Sequence, residues 1–340
     1  MKHVNIPIFI PHLGCPNQCV FCNQRSISGV SEFDINCVKQ TIDKTLATIP
    51  NNKQVEIAFF GGSFTGIDRD LMISLLEIAY EYIKSGQVSH IRCSTRPDYI
   101  NSEILDILKK YGVNVIELGL QSSSDDVLLS SRRGHTFKTE EDACKLIIDY
   151  GFDLVGQMMI GLPNSSLEDE ENTARFIIST GAKYARIYPT VVFKNTELCC
   201  LTEQGGYTPL TLDEAVARSA RILKMFNDAG INTIRVGLCA SDNLISDDTY
   251  YAGPNHPAIG ELVENEIYLN EIKKQISDIN FSSGDVLKIS VAKNCLSKAI
   301  GQKRKNKLLL TQTLKIGDVI FKEEDSLANF EVSVVVERNK

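Results

Sequence analysis

The sequence predicts an α/β protein: a partial or full βα barrel of parallel strands, followed by a small α+β domain. Seven short runs rich in β-branched residues alternate with longer amphipathic segments between residues 4 and 237. Several of the helical segments end at a glycine, the residue that most readily closes a helix and releases the chain into the next strand. Repeated βα units of roughly 30–40 residues require parallel strands with right-handed crossovers, which is how a barrel is built.

The predicted elements follow in order along the chain. Strands are predicted at 4–10, 55–60, 90–95, 113–120, 152–161, 184–192 and 231–237, and helices at 34–48, 68–84, 101–111, 139–150, 166–180 and 211–229. Asp68, Asn101 and Thr211 supply N-caps for three of the helices. Residues 1–240 form the predicted barrel, and a polar stretch with Gly and Pro makes 241–283 a linker or docking segment. The pattern of residues 284–340 predicts a small basic domain in which the elements follow in the order strand, helix, helix, strand, strand.

Composition and charge exclude several classes of protein. The 340 residues are 43% hydrophobic and 23% charged, values typical of a globular chain rather than a disordered one. No apolar run approaches the roughly 20 residues that cross a bilayer, so we expect a cytoplasmic protein with no membrane partner. The net charge is −7, but residues 284–340 carry 11 basic and 7 acidic side chains, against 25 and 36 in the rest. This asymmetry indicates a separate binding function for the tail.

Three of the ten cysteines form a cluster in the sequence. Cys15, Cys19 and Cys22 lie in the string CPNQCVFC, directly after the first predicted strand. A C-x3-C-x2-C loop can hold three irons of a 4Fe–4S cluster and leave the fourth open, whereas a ferredoxin closes its cluster with a fourth cysteine. A zinc site with His12 as fourth ligand is the alternative. The other seven cysteines show no ligand-like spacing, and we interpret most of them as small buried hydrophobes.

The remaining chemical motifs also fall at the ends of predicted strands. Gly61 and Gly62 follow the second strand, Ser94 lies at the end of the third, and Gln121 closes the fourth. The carboxyl ends of barrel strands meet on one face, where barrel enzymes place their chemistry. This coincidence predicts an active site at that face.

On these residues the chain resembles the radical SAM superfamily. The resemblance implies that the three clustered cysteines are the catalytic cluster ligands and that the open iron binds S-adenosyl-L-methionine. One electron, from a donor of the flavodoxin or ferredoxin type, would then cleave this cofactor to methionine and a 5′-deoxyadenosyl radical. Phe21 matches the aromatic residue that lies near the adenine, and Gly61 and Gly62 match the pair that approaches the methionyl amino group.

The resemblance also implies further cofactor-binding residues. Positions that contact the nucleoside and carboxylate in relatives resembling oxygen-independent coproporphyrinogen oxidase are matched by Gln121, Arg133 and Gln157, with Ser94 on the strand between them. Polar residues inside strands need partners when they are buried, which favours function for the two glutamines. Arg133 is equally compatible with a solvated helix end. His135 and Tyr188 are candidates for either substrate or structural contacts.

Within the superfamily, several strings resemble the radical SAM core of the Elongator catalytic subunit, an enzyme that modifies wobble uridines of tRNA. They are FFGGSFTG (59–66), STRPDYI (94–100), ELGLQS (117–122), RRGHT (132–136), IGLPNS (160–165) and IYPTVVFKNTEL (187–198). The similarity covers about residues 4–240. That subunit has a longer interval between its first two cysteines, an N-terminal extension and an acetyltransferase domain, and we find none of these features in this sequence. The resemblance therefore extends to the radical core and not to the acetyl donor chemistry.

The tail faintly resembles a KH RNA-binding unit. The turn between its two helices reads Gly301-Gln302-Lys303-Arg304 and lacks the second glycine of the GXXG turn. Four basic residues could instead attract RNA phosphates as charges: Lys303, Arg304, Lys305 and Lys307. A small docking domain with a basic surface turn is the alternative.

Together these observations predict a radical SAM enzyme with a 4Fe–4S cluster and S-adenosyl-L-methionine as cofactors and RNA, foremost tRNA, as substrate. One alternative keeps the radical chemistry but acts on a small metabolite or a porphyrinogen. Another is a non-catalytic, metal-bearing RNA-binding adaptor. The combination of Gly61, Gln121 and Arg133 argues against the adaptor, because a pure binding module needs no nucleoside pocket.

Overall fold

A seven-stranded parallel sheet forms the larger part of the molecule. The computed structural model describes residues 3–10, 14–15, 19–22, 33–50, 53–238 and 249–338. The strands of this sheet are His3–Phe9 (β1), Gln54–Phe60 (β2), His90–Thr95 (β3), Val113–Gln121 (β4), Asp153–Ile160 (β5), Tyr184–Pro189 (β6) and Asn232–Val236 (β8). They pair in that order, all parallel, with β1 and β8 at the two edges. The predicted fold class is confirmed, as a partial barrel.

Two short strands lie beside this sheet. Val192–Phe193 (β7) pairs in antiparallel fashion with Tyr250–Ala252 (β9). The predicted strand 184–192 is therefore two strands, separated where β6 ends at Pro189. Proline has no N–H to donate to a sheet, so the separation falls at a residue that ends pairing.

Helices connect the strands, and all but α4 and α7 of those given below pack on the outer face of the sheet. Those of the barrel region are Asn36–Leu46 (α1), Arg69–Lys84 (α2), Ser102–Lys110 (α3), Asp125–Ser130 (α4), Phe137–Asp149 (α5), Leu167–Ser179 (α6), Glu197–Glu203 (α7) and Leu212–Asp228 (α8). The six predicted helices are present. The helices α4 and α7 were not predicted, because six or seven residues are too few to show a helical period. None of the described helices is long and apolar enough to span a bilayer.

Alternation along the strands separates an outer from an inner face of the sheet. In β1 and just beyond it, Ile6, Ile8 and Ile10 are buried in the core under the helices. Phe9 points the other way and is 40% exposed. The inner face is thus a concave surface inside the partial barrel, here called the lumen.

The segment 241–283, interpreted from sequence as a linker or docking segment, contains β9 and an 18-residue helix, Ile259–Ile276 (α9). This helix packs on α8 on one side and on elements of the tail on the other. Val263 and Tyr268 are fully buried, and the polar Asn265 is buried as well. Because both sides of α9 are covered, its apolar residues do not form the single stripe by which an amphipathic helix is recognised.

The tail folds in the predicted order. Its elements are Val286–Val291 (β10), Leu296–Ile300 (α10), Lys305–Leu314 (α11), Asp318–Glu323 (β11) and Val332–Glu337 (β12). The strand β10 is central, parallel to β11 and antiparallel to β12. This is a small α+β unit joined to the barrel region through α9.

Candidate active site

The carboxyl ends of the parallel strands meet at one edge of the sheet, and the predicted site residues gather there. Residues 14–22, here called the cysteine loop, follow β1, and the glycine pair follows β2. The other predicted cofactor-binding positions lie on β3, β4, the loop before α5, and β5, in the order Ser94, Gln121, Arg133 and Gln157. Ser94 and Gln157 are half-buried on the lumen side. Residues far apart in the chain thus share one face.

The cysteine loop begins with a close packing of backbone on backbone. Gly14 has a φ of +80°, and a Cβ at this position would lie 2.3 Å from the carbonyl oxygen of Ser63. A Cβ at Gly66 would lie 2.4 Å from the carbonyl oxygen of Gly14. Neither position accepts a side chain, so the loop packs directly on the turn after β2. This contact was not predicted, although both glycines flank the motifs that the sequence analysis identified.

The glycine turn after β2 packs closely on the backbone of Ile10 and is hydrogen-bonded through hydroxyl groups to the end of β3. Gly61 has a φ of +86°, and a Cβ there would lie 3.0 Å from the carbonyl oxygen of Ile10. The hydroxyl of Thr95, at the end of β3, lies 2.8 Å from that of Ser63 and 2.6 Å from that of Thr65. These three hydroxyl-bearing residues are buried, so the turn is held to β3 in one conformation.

A small apolar cluster holds the middle of the cysteine loop. Val20 is buried together with Val192, Leu198 and other residues around α7. Its N–H donates to the carbonyl of Ser131 at 3.2 Å, and its carbonyl accepts from the N–H of Leu198 at 2.8 Å. Phe21 packs against the same cluster and is half-buried. The short helix α7 therefore supports the loop.

Two arginines contact the sulfur of the middle cysteine. Cys19 is buried, and its Sγ lies 3.3 Å from Nη1 of Arg133 and 3.8 Å from Nη1 of Arg96. Burial raises the pKa of the Cys15 thiol, while the two arginines act in the opposite direction. Two guanidinium groups favour negative charge on the sulfurs of this loop. Arg133 was predicted as a site residue, but Arg96 was not, although it lies in the string STRPDYI.

Arg133 also reaches the end of β4. Its Nη2 donates to the carbonyl of Gly119 at 2.5 Å. Gln121 ends the strand at a φ of 74°, after a shift in register, and its side chain folds back over Gly119. Within the described residues, Oε1 of Gln121 and Nε of Arg133 are buried without a hydrogen-bond partner. Buried polar atoms require partners, so this corner of the site is suited to a polar ligand.

Behind the arginines lies a buried set of charged and titratable side chains. Asp98 accepts hydrogen bonds from Nε and Nη2 of Arg96 at 2.9 and 3.0 Å. The imidazole of His135 lies between Asp98 and Glu140, with Nε2 3.0 Å from Oε1 of Glu140. Burial alone would raise the pKa of Asp98, but His135 and Arg96 outweigh it and hold the pKa well below its usual range. Burial raises the pKa of Glu140 to about 7.

A second buried ion network closes the lower part of the lumen. Nε of Arg92 lies 2.9 Å from Glu56, and Nε of Arg186 lies 2.5 Å from Glu117. Arg186 comes from β6 and also stacks over the ring of Phe60, on β2, at 5.6 Å from the ring centroid. Sequence analysis missed this network. The signal was available as one Arg or Glu residue inside each of four predicted strands.

Above this network the lumen is aromatic and positively charged. The rings of Phe9 and Phe60 lie side by side, with centroids 6.1 Å apart. The hydroxyl of Tyr188 accepts a hydrogen bond from Nη1 of Arg186 at 3.1 Å. Arg235 pairs in register with Arg186 on the neighbouring strand and is half-buried. Three arginines thus face two glutamates inside the partial barrel, which favours a ligand that is planar and anionic.

The basic turn of the tail, residues 301–307, has an unusual backbone. Lys303 and Arg304 both adopt left-handed φ values, 52° and 63°. The turn is fixed from below by buried Asn306, whose Nδ2 donates to the carbonyls of Asn265 and Ala299. Arg304 therefore stands, in left-handed conformation, at the place where a GXXG turn has its second glycine. Lys307 is paired with an acidic side chain of β11, while Lys305 makes only a long contact.

Comparison with known proteins matches two families to this chain in succession. The radical SAM superfamily matches residues 9–177, and the radical SAM C-terminal domain matches residues 182–268. The chain belongs to the radical SAM superfamily. The second match extends through most of α9, so this helix continues a radical SAM family domain.

Relatives of this radical SAM chain include Elongator proteins. Elongator complex protein 3 from Homo sapiens is 30% identical over 256 residues, which cover 63% of this chain and 47% of that protein. The uncharacterized protein MJ0486 from Methanocaldococcus jannaschii is 30% identical over 225 residues, 63% of this chain and 68% of that protein. The archaeal Methanocaldococcus infernus Elp3 with an N-terminal deletion superposes with a TM-score of 0.64 at 21% identity, over 81% of this chain and 63% of that one. The chain spans about half the length of the curated Elongator proteins it matches.

The polar corner formed by Gln121 and Arg133 is suited to S-adenosyl-L-methionine. Among the residues that the structure describes, no group of three His, Cys, Asp or Glu side chains is placed to hold a metal ion. His12, the candidate fourth zinc ligand, lies outside the described residues. The partnerless polar atoms of Gln121 and Arg133 suit the carboxylate and nucleoside of S-adenosyl-L-methionine.

The remaining described cysteines are divided between the interior and the surface. Cys93, Cys144, Cys199 and Cys295 are buried, as predicted, while Cys37 and Cys200 are exposed. Cys239 lies outside the described residues. Burial raises the pKa of Cys93 and Cys144 well above its ordinary value, so these thiols stay protonated and serve as apolar packing.

Proposed function

We propose that this chain is a radical SAM enzyme that acts on RNA, with tRNA as the first candidate. The observation that carries the proposal is the position of Arg133, which contacts both the sulfur of Cys19 and the carbonyl of Gly119. One side chain thereby joins the cysteine loop to the corner suited to a nucleoside. A 4Fe–4S cluster on Cys15, Cys19 and Cys22 and an adjacent S-adenosyl-L-methionine would supply a 5′-deoxyadenosyl radical after reduction by a flavodoxin- or ferredoxin-type donor.

The chain's own residues bind and orient these cofactors. Arg96 and Arg133 offset the negative charge that thiolate ligands bring into a buried site. Gly61 and Gly62, both in left-handed conformation, let the backbone approach the methionyl group without a Cβ in the way. Gln121 offers its partnerless Oε1 as an acceptor to the nucleoside. Phe21, packed against the apolar cluster around α7, is the aromatic residue that the family resemblance assigns to the adenine.

The lumen supports a nucleotide as the substrate. Phe9 is 40% exposed beside Phe60 and lies on the edge strand of the partial barrel, where a planar group can reach it. Nucleobases taken out of a strand are characteristically held by stacking on aromatic side chains. Arg235, which forms no ion pair with a described carboxylate, is placed to attract a phosphate or another anionic group.

The positive charge of the tail supports RNA as the substrate class. Lys303 and Arg304 project from a turn whose backbone is fixed by Asn306. A fixed cluster of cations contributes to affinity for a phosphate backbone without reading its sequence. The resemblance of the barrel strings to the Elongator subunit is what favours tRNA among RNAs. The proposal does not include the acetyl transfer of that enzyme.

The test is anaerobic reconstitution with iron and sulfide, reduction with dithionite in the presence of S-adenosyl-L-methionine, and chromatography for 5′-deoxyadenosine. Wild type is compared with Cys19→Ala and Cys200→Ala, the latter an exposed cysteine outside the loop. We expect product from wild type and Cys200→Ala, none from Cys19→Ala, and an increase when bulk tRNA is added. Cleavage without an RNA-dependent increase would favour a small anionic metabolite in the lumen. No cleavage by a fully loaded protein would favour the RNA-binding adaptor.

A further inference from the structure

A buried acid that the proposed function does not use is connected to the cysteine loop through Arg96. Nη1 of Arg96 lies 3.8 Å from Sγ of Cys19, and its Nη2 lies 3.4 Å from Nδ1 of His135. Nε2 of His135 lies 3.0 Å from Oε1 of Glu140. Three contacts therefore lead from a cluster ligand to Glu140, and the side chain of every residue on the path is at least nine-tenths buried.

One hydrogen bond of defined direction joins His135 to Glu140. A carboxylate only accepts, so Nε2 of His135 carries a hydrogen and donates to ionised Glu140. Nδ1 of His135 lies 3.4 Å from Nη2 of Arg96 and 3.6 Å from Oδ1 of Asp98. The second carboxylate oxygen, Oε2, has no hydrogen-bond partner among the described residues. Protonation therefore stabilises a fully buried carboxylate that has an oxygen without a hydrogen-bond partner more than it stabilises a solvated carboxylate.

Other charged and titratable groups face Glu140 from each element around it. They are Asp125 at the start of α4, Arg133 and His135 from the loop before α5, and Cys144 from α5 itself, while Asp98 from the turn before α3 lies on the far side of His135. Arg133 and His135 favour the carboxylate, and Asp125 opposes it. Burial outweighs their sum, which agrees with a pKa of about 7 for Glu140. The thiol of Cys144 stays neutral.

We propose that Glu140, hydrogen-bonded to His135, binds a proton from solvent when the cluster held by the cysteine loop receives its electron. The inference rests on the proposed function, since it requires a cluster at that loop. The electron comes from the external donor, one proton comes from hydronium or buffer acid in the bulk solvent and joins the carboxylate of Glu140, and no bond between a cysteine and iron forms or breaks. Asp98, whose side chain is 24% exposed, links His135 to the surface and gives the proton its route.

The physical reason is charge balance in a buried site. An added electron increases the negative charge next to Cys19, and Arg96 and Arg133 cannot respond because arginine stays protonated throughout the accessible pH range. Glu140 can respond, because burial places its pKa at about 7, where it gains or loses a proton. Low effective dielectric keeps the two charges coupled across the intervening contacts. Glu140 and His135 are thus positioning residues that act on the cluster through Arg96.

The test is a measurement of the midpoint potential of the reconstituted protein, monitored by electron paramagnetic resonance between pH 6 and 8.5, without S-adenosyl-L-methionine or RNA. We expect the potential of the wild type to fall as the pH rises through 7, by no more than about 59 mV per pH unit, the limit for one proton per electron. Glu140→Gln removes the titrating group and should make the potential independent of pH over this range.

Glu170→Gln is the matched control. Glu170 is equally buried and also has its pKa raised to about 7 by burial, but its partners are Gly161 and Arg218, away from the cysteine loop. This variant should keep the slope of the wild type. A slope retained in Glu140→Gln, or lost in Glu170→Gln, would overturn the proposal.

A second measurement needs no variant and covers the case in which Glu140→Gln does not fold. Reduction of the wild type in weakly buffered solution at pH 7, followed with a pH indicator, should consume a fraction of a proton per electron. No proton uptake by a protein with a full cluster would refute this inference and leave the proposed function intact. Failure to bind a cluster at all would instead refute both.

Discussion

Nη1 of Arg133 lies 3.3 Å from Sγ of Cys19, although 114 positions separate the two residues. The short helix α4 brings them together. The carbonyl of Leu128, in the last turn of this helix, accepts a hydrogen bond from the N–H of Arg133. The carbonyl of Ser131, directly after the helix, accepts one from the N–H of Val20. Both Arg133 and the cysteine loop are therefore hydrogen-bonded to the backbone of residues 128–131. This shared attachment holds the guanidinium close to the sulfur.

Arg133→Gln should impair the radical generator. The change removes a charged hydrogen bond at the sulfur, a loss of about 1.5–3 kcal/mol, and we expect 5′-deoxyadenosine formation to fall roughly 10- to 100-fold. The control is Arg132→Gln, because Arg132 is 64% exposed and pairs with Glu197 on the surface. Equal rates for the two variants would show that the contact with Cys19 has no role.

Gly14→Ala should prevent the cysteine loop from packing. Both its φ of +80° and the carbonyl of Ser63 oppose a Cβ, so we expect a loss of about 3 kcal/mol or more in the free energy of unfolding, with reduced iron uptake. Gly86→Ala is the control, since Gly86 has a φ of +74° but nothing within 4 Å of the new Cβ. That variant measures backbone strain alone, about 1 kcal/mol. Urea unfolding of both proteins separates the two effects, and equal losses would contradict the close packing.

Phe9→Ala should weaken the response to RNA. The exposed ring on the edge strand is the proposed stacking surface, and stacking contributes about 1–3 kcal/mol per base. The RNA concentration that gives half of the maximal increase in 5′-deoxyadenosine should rise about tenfold or more. Leu129→Ala, which alters a 78% exposed residue outside the lumen, should leave that concentration unchanged. An unchanged value for Phe9→Ala would place the substrate elsewhere.

Neutralising the basic turn should reduce the salt dependence of RNA binding. Each lost phosphate contact lowers the slope of log affinity against log salt by about 0.7 for a single strand. We expect the double variant Lys303→Gln with Lys305→Gln to show this in filter binding at several salt concentrations. Lys138→Gln with Lys145→Gln, two exposed lysines of α5, makes the same change in net charge elsewhere. Identical slopes for both pairs would contradict a role of the turn in binding RNA.

Glu170 should contribute a pH dependence to stability. Burial raises its pKa from 4.5 to about 7, so the folded state binds the proton more tightly than the unfolded state does. The stability associated with this group is present below pH 4.5 and declines as the pH rises to about 7. The melting temperature of the wild type, relative to that of Glu170→Gln, should therefore fall between pH 5 and 7.5. Parallel curves for the two proteins would show that Glu170 is ionised in the fold.

Much of the barrel region could be predicted because its signals are local. Alternating apolar runs, capping residues such as Asp68 and glycines after helices specify strands and helices through neighbours in the sequence. The helix α9 was missed for the opposite reason: its buried residues face two different partners, α8 and the tail, and no single periodic stripe results. Likewise α7 is too short to have a period, yet it supports the cysteine loop.

By itself, the sequence determined the parallel α/β fold and the place of the cysteine motif after the first strand, because spacing along the chain and strand-end position are properties of sequence. The cofactor-binding roles of the residues at the strand ends stay predictions. Only the tertiary structure decided that Arg96 joins Arg133 at Cys19, that Gly14 packs on Ser63 and Gly66, and that Glu140 is linked to the site through His135. Those relationships join residues from different strands and loops. The reason is physical: burial and proximity are set when the sheet curls and the loops pack, and no local pattern records them.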